Sequence, residues 1–335
     1  MSKVLVTGAA GFIGSHVCDA LIANGHRVIG MDNLSGGVVE NVPAACEFWQ
    51  RDFTCPKQVE LVFSECRPDI VIHAGAYAAE ILSPHIRRFN YENNLLGSIN
   101  LINAAVNHRC KGFVFLSSIA TYGHQKPPFY EMTPLAPADP YGVAKMAVEL
   151  DLKAAHAMFG LPYIIFRPFN VYGPRQNIGD AYRNVIGIFM NQCLKREPMT
   201  IFGDGSQTRA FSYISDVAPV IATSIDRPEC WGLTFNIGGT RAMRVDVLSE
   251  LVWYALGNKG PYQRHKLEAR KEARHAFCDT TKARIFFKGL MPDVSLEDGL
   301  PLMAEWVLKH GSRSTSKFAN IEIEEGLPEI WKVTA

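Results

Sequence analysis

Short runs that are apolar on both faces alternate with longer amphipathic runs over the first 170 residues or so. Val4–Val6, Arg27–Met31, Glu47–Trp49, Ile70–His73, Gly112–Leu116 and Tyr163–Arg167 read as strands. Strands without a polar face belong inside a parallel sheet covered on both sides. Between them, Ser15–Asn24, Pro56–Cys66, Asn93–His108 and Tyr141–Phe159 carry helical spacing. This alternation predicts right-handed βαβ units and a doubly wound α/β fold.

After Asn170 the pattern loosens. Gly173-Pro174-Arg175 and Phe202-Gly203-Asp204-Gly205 are turn clusters, and Val185–Lys195 and Val245–Leu256 are further helical stretches. The reading is a large domain over 1–170, with 211–239 crossing back to it. A smaller α/β lobe takes 171–210 and 240–310 and holds the substrate. A tail occupies 311–335, in which Gly311–Ser316 looks mobile and Ile321–Trp331 has apolar residues enough to dock.

Charge narrows the function. Lys plus Arg is 34 and Asp plus Glu is 33 in 335 residues, a formal net charge of +1. Nucleic-acid binders and polybasic membrane anchors carry a basic excess, so neither class fits. No window approaches the ~18 apolar residues of a membrane span. Met1–Val6 runs straight into a glycine-rich motif, leaving no room for a leader, and the expected location is the cytoplasm. The eight cysteines form no Cys-x-x-Cys pair and the ten histidines show no ligand spacing. No metal site is expected, the thiols read as core filler, and His73 reads as a satisfied strand-end residue.

Thr7-Gly8-Ala9-Ala10-Gly11-Phe12-Ile13-Gly14 follows the first strand and opens the first helix. Gly8 permits the tight turn, Gly11 the close approach of a pyrophosphate, and Gly14 close packing of helix on strand. The helix N-terminus presents free N–H groups to the anion. Asp32 ends the second strand, where a carboxylate accepts bonds from ribose hydroxyls and repels a 2′-phosphate. Asn33-Leu34-Ser35 brings no arginine, so NAD is the expected cofactor. Asp52, after the third strand, is placed to bond the adenine amino group.

Tyr141 and Lys145 open a helix four residues apart, on one face. Bringing a phenol from a pKa of ~10 to neutrality takes about 4 kcal/mol of differential stabilisation. A lysine ammonium beside an oxidised nicotinamide is the expected source. Ser117-Ser118 ends a strand, and Ser118 lies 23 residues before the tyrosine. A serine there faces the ligand crevice of such sheets. Arg209 offers a planar fork suited to a diphosphate. Asn170 ends a strand at the crevice and is placed to donate to phosphate. For Asn184, a helix cap and a nucleotide contact both remain open.

These residues together resemble the extended short-chain dehydrogenase/reductases that modify nucleotide sugars, particularly the UDP-galactose 4-epimerase-like members. Thr7–Gly14, Asp32–Ser35, Ser118, Tyr141–Lys145, Arg167–Arg175, Phe202–Gly205, Arg209 and Tyr213–Val217 are similar to that family's signatures in order, over about residues 3–305. The resemblance implies a Rossmann sheet and cofactor contacts from Gly8, Gly11, Phe12, Ile13, Gly14, Asp32, Asn33, Leu34, Asp52, Phe53, Ala74, Gly75, Ala76, Asn94, Tyr141, Lys145 and Phe169. It implies a catalytic set of Ser118, Tyr141 and Lys145, and a nucleotide-diphosphate sugar held by Ser118, Asn170, Asn184, Arg209 and Arg270. Hydride would leave a sugar carbon, usually C4, for NAD and return to the other face of the keto-sugar.

Family members that eliminate water carry Asp-Glu where this chain has Ile119-Ala120-Thr121, and the decarboxylase glutamate is missing there too. Epimerisation therefore leads, with a nucleotide-sugar dehydrogenase, reductase or dehydratase as the alternative and a non-catalytic NAD sensor behind them. Arg270–Arg274 replaces the family's Arg-x-Gly-Glu-Val, which leaves Arg270 and Arg274 both open as the diphosphate ligand. The resemblance also implies a homodimer through a four-helix interface formed by Asn93–His108 and Tyr141–Phe159, with Leu95, Ile99, Leu101, Ile102, Met146, Val148 and Leu152 as candidate contacts. Burial of those faces on the protein's own sheet is the alternative.

Overall fold

Six apolar runs pair in the computed structural model, which describes residues 1–270, 272–315 and 317–332. They are β1 (Lys3–Thr7), β2 (Arg27–Asp32), β3 (Glu47–Gln50), β4 (Ile70–His73), β5 (Gly112–Leu116) and β6 (Tyr163–Pro168). A seventh strand, Thr234–Ile237, joins them. The order is Thr234–Ile237, β6, β5, β4, β1, β2, β3, all parallel. This is the doubly wound α/β sheet expected from the alternation.

Side chains leave successive strand residues on opposite faces, and the core follows that period. Val4, Val6, Ile70, Ile72, Val114 and Leu116 pack into one apolar cluster; Leu5, Val71, Phe113 and Phe115 pack into another on the opposite face. The second cluster is covered by helices Pro56–Cys66, Gly97–Asn107 and Pro140–Phe159. The first is covered by Phe12–Ala23 and Ala218–Ser224 and runs on into the C-terminal elements. Edge strand β3 is only partly buried.

Strand order reverses between β1 and β4, which opens a crevice at their carboxyl ends, where α/β sheets bind ligands. Beyond β6, strand Met199–Phe202 pairs with Arg264–Leu267. Thr208–Ala210 lies between Ala242–Arg244 and His275–Ala276. Helices Val185–Leu194, Val245–Ala255 and Leu296–His310 back these strands and share the first cluster.

Three details depart from the sequence reading. The helix expected over Asn93–His108 runs regularly only over Gly97–Asn107. Before it, Glu92–Leu96 forms one wide i→i+5 turn, a geometry often found near functional sites. Leu101, Ile102, Val148 and Leu152, offered as partner contacts, are fully buried on the protein's own sheet. The stretch 311–315 is tied down, because Asn191 bonds the Arg313 backbone in both directions and Lys195 reaches Thr315. Ser316 lies outside the described residues. No helix among the described residues is long and apolar enough to cross a membrane.

Candidate functional site

The turn after β1 is built from positions that tolerate no side chain. Gly8 has φ +71°, and a Cβ there would come within 2.7 Å of the Gly75 backbone; one on Gly14 would meet the Gly8 carbonyl at 2.0 Å. Helix Phe12–Ala23 starts at Gly11 with no side-chain cap, so its first N–H groups face the crevice lined by Phe12, Ile13 and Gly14. Beside them, Asp32 accepts bonds from the N–H of Ala10 (3.1 Å) and of Leu34 (2.7 Å). Burial pushes its carboxyl above the usual carboxylate range, and those bonds oppose the shift. Each oxygen keeps a lone pair for a ribose hydroxyl. A bare helix N-terminus beside an aspartate lining the same cleft fits NAD.

Asn33, Phe53, Ala74, Gly75, Ala76 and Phe169 also line the cleft. Leu34, Asp52 and Asn94 stand behind the lining. Leu34 holds Asp32 through its backbone. Asp52 accepts from Asn33 (3.1 Å) and from the amide and hydroxyl of Thr54. Burial works to raise its carboxyl, but these bonds outweigh it and hold the pKa low. Asn94 clamps the Tyr77 backbone from both sides, accepting from its N–H and donating to its carbonyl. His73 is bonded to Thr7 (2.7 Å) and Ser98 (2.8 Å), and its burial pushes the imidazole well below its ordinary pKa.

The serine pair divides. Both residues line the cleft, but the Ser117 hydroxyl is taken up by Glu149, to which it donates at 2.5 Å, whereas the Ser118 hydroxyl is placed to favour the ionised form of Tyr141. Helix Pro140–Phe159 is capped by Asp139, which accepts from the Gly142 N–H at 2.9 Å and thereby sets Tyr141 in the first turn. The expected Tyr–Lys relation differs in detail. Lys145 donates its ammonium to the Leu116 carbonyl (2.8 Å), 5.8 Å from the centre of the Tyr141 ring. Burial lowers Lys145 to about 7, against the opposing pull of Glu149. Burial also raises the phenol; Ser118 and Arg183 pull it down, while Glu80 and Asp139 push it further up. Desolvation is the largest influence on both the phenol and the ammonium, which the i,i+4 spacing alone did not reveal.

From Asp32 and Tyr141 the cleft continues as one cavity of about 630 Å³ to Asn170, Asn184, Arg209 and Arg270. Asn170 donates to the Ala210 carbonyl (2.9 Å). Asn184 has φ +59° and its side chain makes no capping bond. Arg270 stacks on Phe202 (3.9 Å), and its buried Nε has no partner among the described residues. Arg274 instead reaches Ser206 outside the cleft lining. Glu272 sits between Arg209 (3.2 Å) and Arg270 (3.5 Å), an anion held between two guanidinium groups. A diphosphate suits the same fork.

Several cleft residues carried no assigned role in the sequence. Glu80 stands alone in the apolar run Ala78–Leu82, and a solitary acid among apolar neighbours was its signal. Arg183 stacks on Tyr77 (4.9 Å) and pairs with Asp180 (2.6 Å). Trp331 lines the cleft from the tail, packed on Tyr182 and 5.7 Å from Arg270. The sequence marked Ile321–Trp331 as apolar enough to dock but not where, and the structure places it against Tyr182 and the cleft. Among the described residues no cluster suited to a metal occurs.

Sheet and cleft thus define a dinucleotide-binding α/β protein with a tyrosine–lysine pair at the crevice. Residues 4–238 match the NAD-dependent epimerase/dehydratase family, and the chain belongs to it. A putative UDP-glucose 4-epimerase of Methanocaldococcus jannaschii is 33% identical over 315 residues, 93% of this chain and all of that one. The crystal structure of a UDP-glucose 4-epimerase from Thermotoga maritima with UDP-glucose superposes with a TM-score of 0.85 at 35% identity, covering 92% of this chain and 99% of the other. A UDP-glucuronic acid 4-epimerase from Bacillus cereus, in complex with UDP-glucuronic acid and NAD, gives 0.82 at 28% identity, with 92% and 99% covered.

Proposed function

We propose that this protein is an NAD-dependent nucleotide-sugar 4-epimerase. The observation that carries the reading is Tyr141: a buried phenol that lines one cleft together with Ser118, the carboxylate of Asp32 and the guanidinium groups of Arg209 and Arg270. The relatives' names support a UDP-hexose or UDP-hexuronate as substrate.

Bound NAD supplies a hydride acceptor and donor for interconverting a sugar alcohol and a ketone. Asp32 and the first turn of helix Phe12–Ala23 orient the cofactor. Arg209, and Arg270 with its buried Nε, hold the diphosphate. Ser118 holds the reacting hydroxyl against the Tyr141 phenol, which takes and returns the proton. Arg183 favours the ionised phenol against Glu80 and Asp139, and Lys145, 5.8 Å from the centre of the ring, adds a second cation when it is protonated.

The reading includes a homodimer. Leu96, in the wide turn just before helix Gly97–Asn107, and Leu150, on helix Pro140–Phe159, are 55% and 54% exposed, with Ile99 and Met146 half-buried. A cytoplasmic location belongs to it as well, supported by eight free cysteines. The test is incubation with UDP-glucose and UDP-galactose, followed by NMR. Interconversion without added cofactor is expected, and Tyr141→Phe should retain NAD while losing turnover. Net consumption of NAD, or full activity in Tyr141→Phe, would overturn the reading.

A further inference from the structure

Glu80 is unusual among the cleft's charged groups because, among the described residues, its carboxylate makes no hydrogen bond or ion pair. It lines the cavity and is exposed there. Asp139 is occupied as a helix cap, and Glu272 by two arginines. The backbone around Glu80 is fixed. Ser83 donates to the Glu80 carbonyl (2.7 Å) and accepts the Tyr141 N–H (3.1 Å), and Ala79 is buried in the cluster that holds Tyr182 and Trp331. Glu80 is therefore set two hydrogen bonds from the backbone of the catalytic tyrosine.

Its carboxylate interacts electrostatically with Tyr141 and also with Arg209 and Arg270, all of which line the same cavity. On the reading above, these groups bracket the sugar: the reacting hydroxyl must reach the Tyr141 phenol while the diphosphate reaches the arginines. The hexose thus lies across the face that Glu80 presents. A carboxylate is acceptor-only; it welcomes hydroxyl donors and repels a second carboxylate.

We infer that Glu80 selects the sugar class: it accepts hydrogen bonds from the hydroxyls of a neutral nucleotide-hexose and excludes nucleotide-hexuronates. The inference rests on the proposed nucleotide-sugar reading and divides two substrate classes which that reading leaves together. Glu80→Gln keeps the size and removes the charge.

The test measures kcat/KM and, by calorimetry on the NAD-loaded protein, Kd for UDP-glucose and UDP-glucuronate. Like-charge juxtaposition and an unmatched buried polar group each discriminate strongly, so wild type is expected to favour UDP-glucose by about 100-fold. Glu80→Gln is expected to narrow that preference by at least about tenfold, with Glu80→Ala doing the same if the amide binds in its own way. A ratio unchanged in both variants, or a wild type that prefers the uronate, would overturn the inference. So would a 4-keto-6-deoxy product that vanishes in Glu80→Gln, because Glu80 would then be an acid–base group. If wild type turns over no nucleotide sugar, the epimerase reading fails, while the Kd ratios still decide whether Glu80 discriminates.

Discussion

The carboxylate of Glu149 and the guanidinium of Arg167 meet in a two-bond fork beneath the cleft, Nε–Oε1 at 2.9 Å and Nη2–Oε2 at 2.6 Å, with both side chains almost wholly out of contact with solvent. Ser117 donates to the same carboxylate, and Arg167 also reaches the hydroxyl of Tyr122, which donates to Asn236. The fork therefore ties helix Pro140–Phe159 to the carboxyl ends of β5 and β6, the two strand ends that present Ser118 and the residues after Arg167.

Removing one partner leaves the other charged and buried. Arg167→Met should destabilise the protein by about 3–5 kcal/mol, as other broken buried pairs do. The double variant Arg167→Met/Glu149→Leu should recover most of that loss. Urea denaturation at neutral pH reads both; equal loss in the single and double variants would contradict the account.

Lys145 is held at a cost to stability. Burial lowers it to about 7, whereas the unfolded chain keeps a lysine near 10.4. Between these values the unfolded state binds the extra proton, so stability rises with pH, and the full penalty applies below about pH 7. Lys145→Met should be more stable than wild type by about 1–2 kcal/mol at pH 6–7. That advantage should shrink toward pH 10, and turnover should be lost. Thermal melts across pH, paired with assays, check both signs.

Glu80 titrates in the working range. Desolvation by the cleft walls around it, together with the neighbouring Asp139 and Glu272, raises its carboxyl to about 7, against Arg209 and Arg270; Tyr141 also interacts with it. Below that pH the group is neutral and above it charged. Preference for UDP-glucose over UDP-glucuronate should therefore grow between pH 6 and pH 8 in wild type and stay flat in Glu80→Gln. A parallel pH dependence in both proteins would count against Glu80 as the charge that discriminates.

Trp331 closes the cavity from the tail, against Tyr182 (5.2 Å), Phe202 (6.1 Å) and Arg270. Trp331→Ala should raise KM for the nucleotide sugar by about tenfold, the value of 1.4 kcal/mol of lost packing, with NAD retention unchanged. Equal loss of NAD would show instead that the tail supports the whole cleft.

Patterning by itself determined the parallel sheet, the glycine turn and Asp32, because these depend on local rules. Period-two burial, a turn that excludes side chains and a carboxylate at a strand end are all encoded within a few residues of one another. The placement of Tyr141 in a first turn was equally local, since Asp139 and Pro140 precede it. Only the tertiary structure decided how the charges behave. Lys145 turns to the Leu116 carbonyl, Ser117 and Ser118 part company, and Arg270 rather than Arg274 enters the cleft. Glu80 and Trp331 reach the cavity from segments 250 residues apart. Desolvation and long-range Coulomb terms depend on what surrounds a group in space, and the chain order contains that information only after folding.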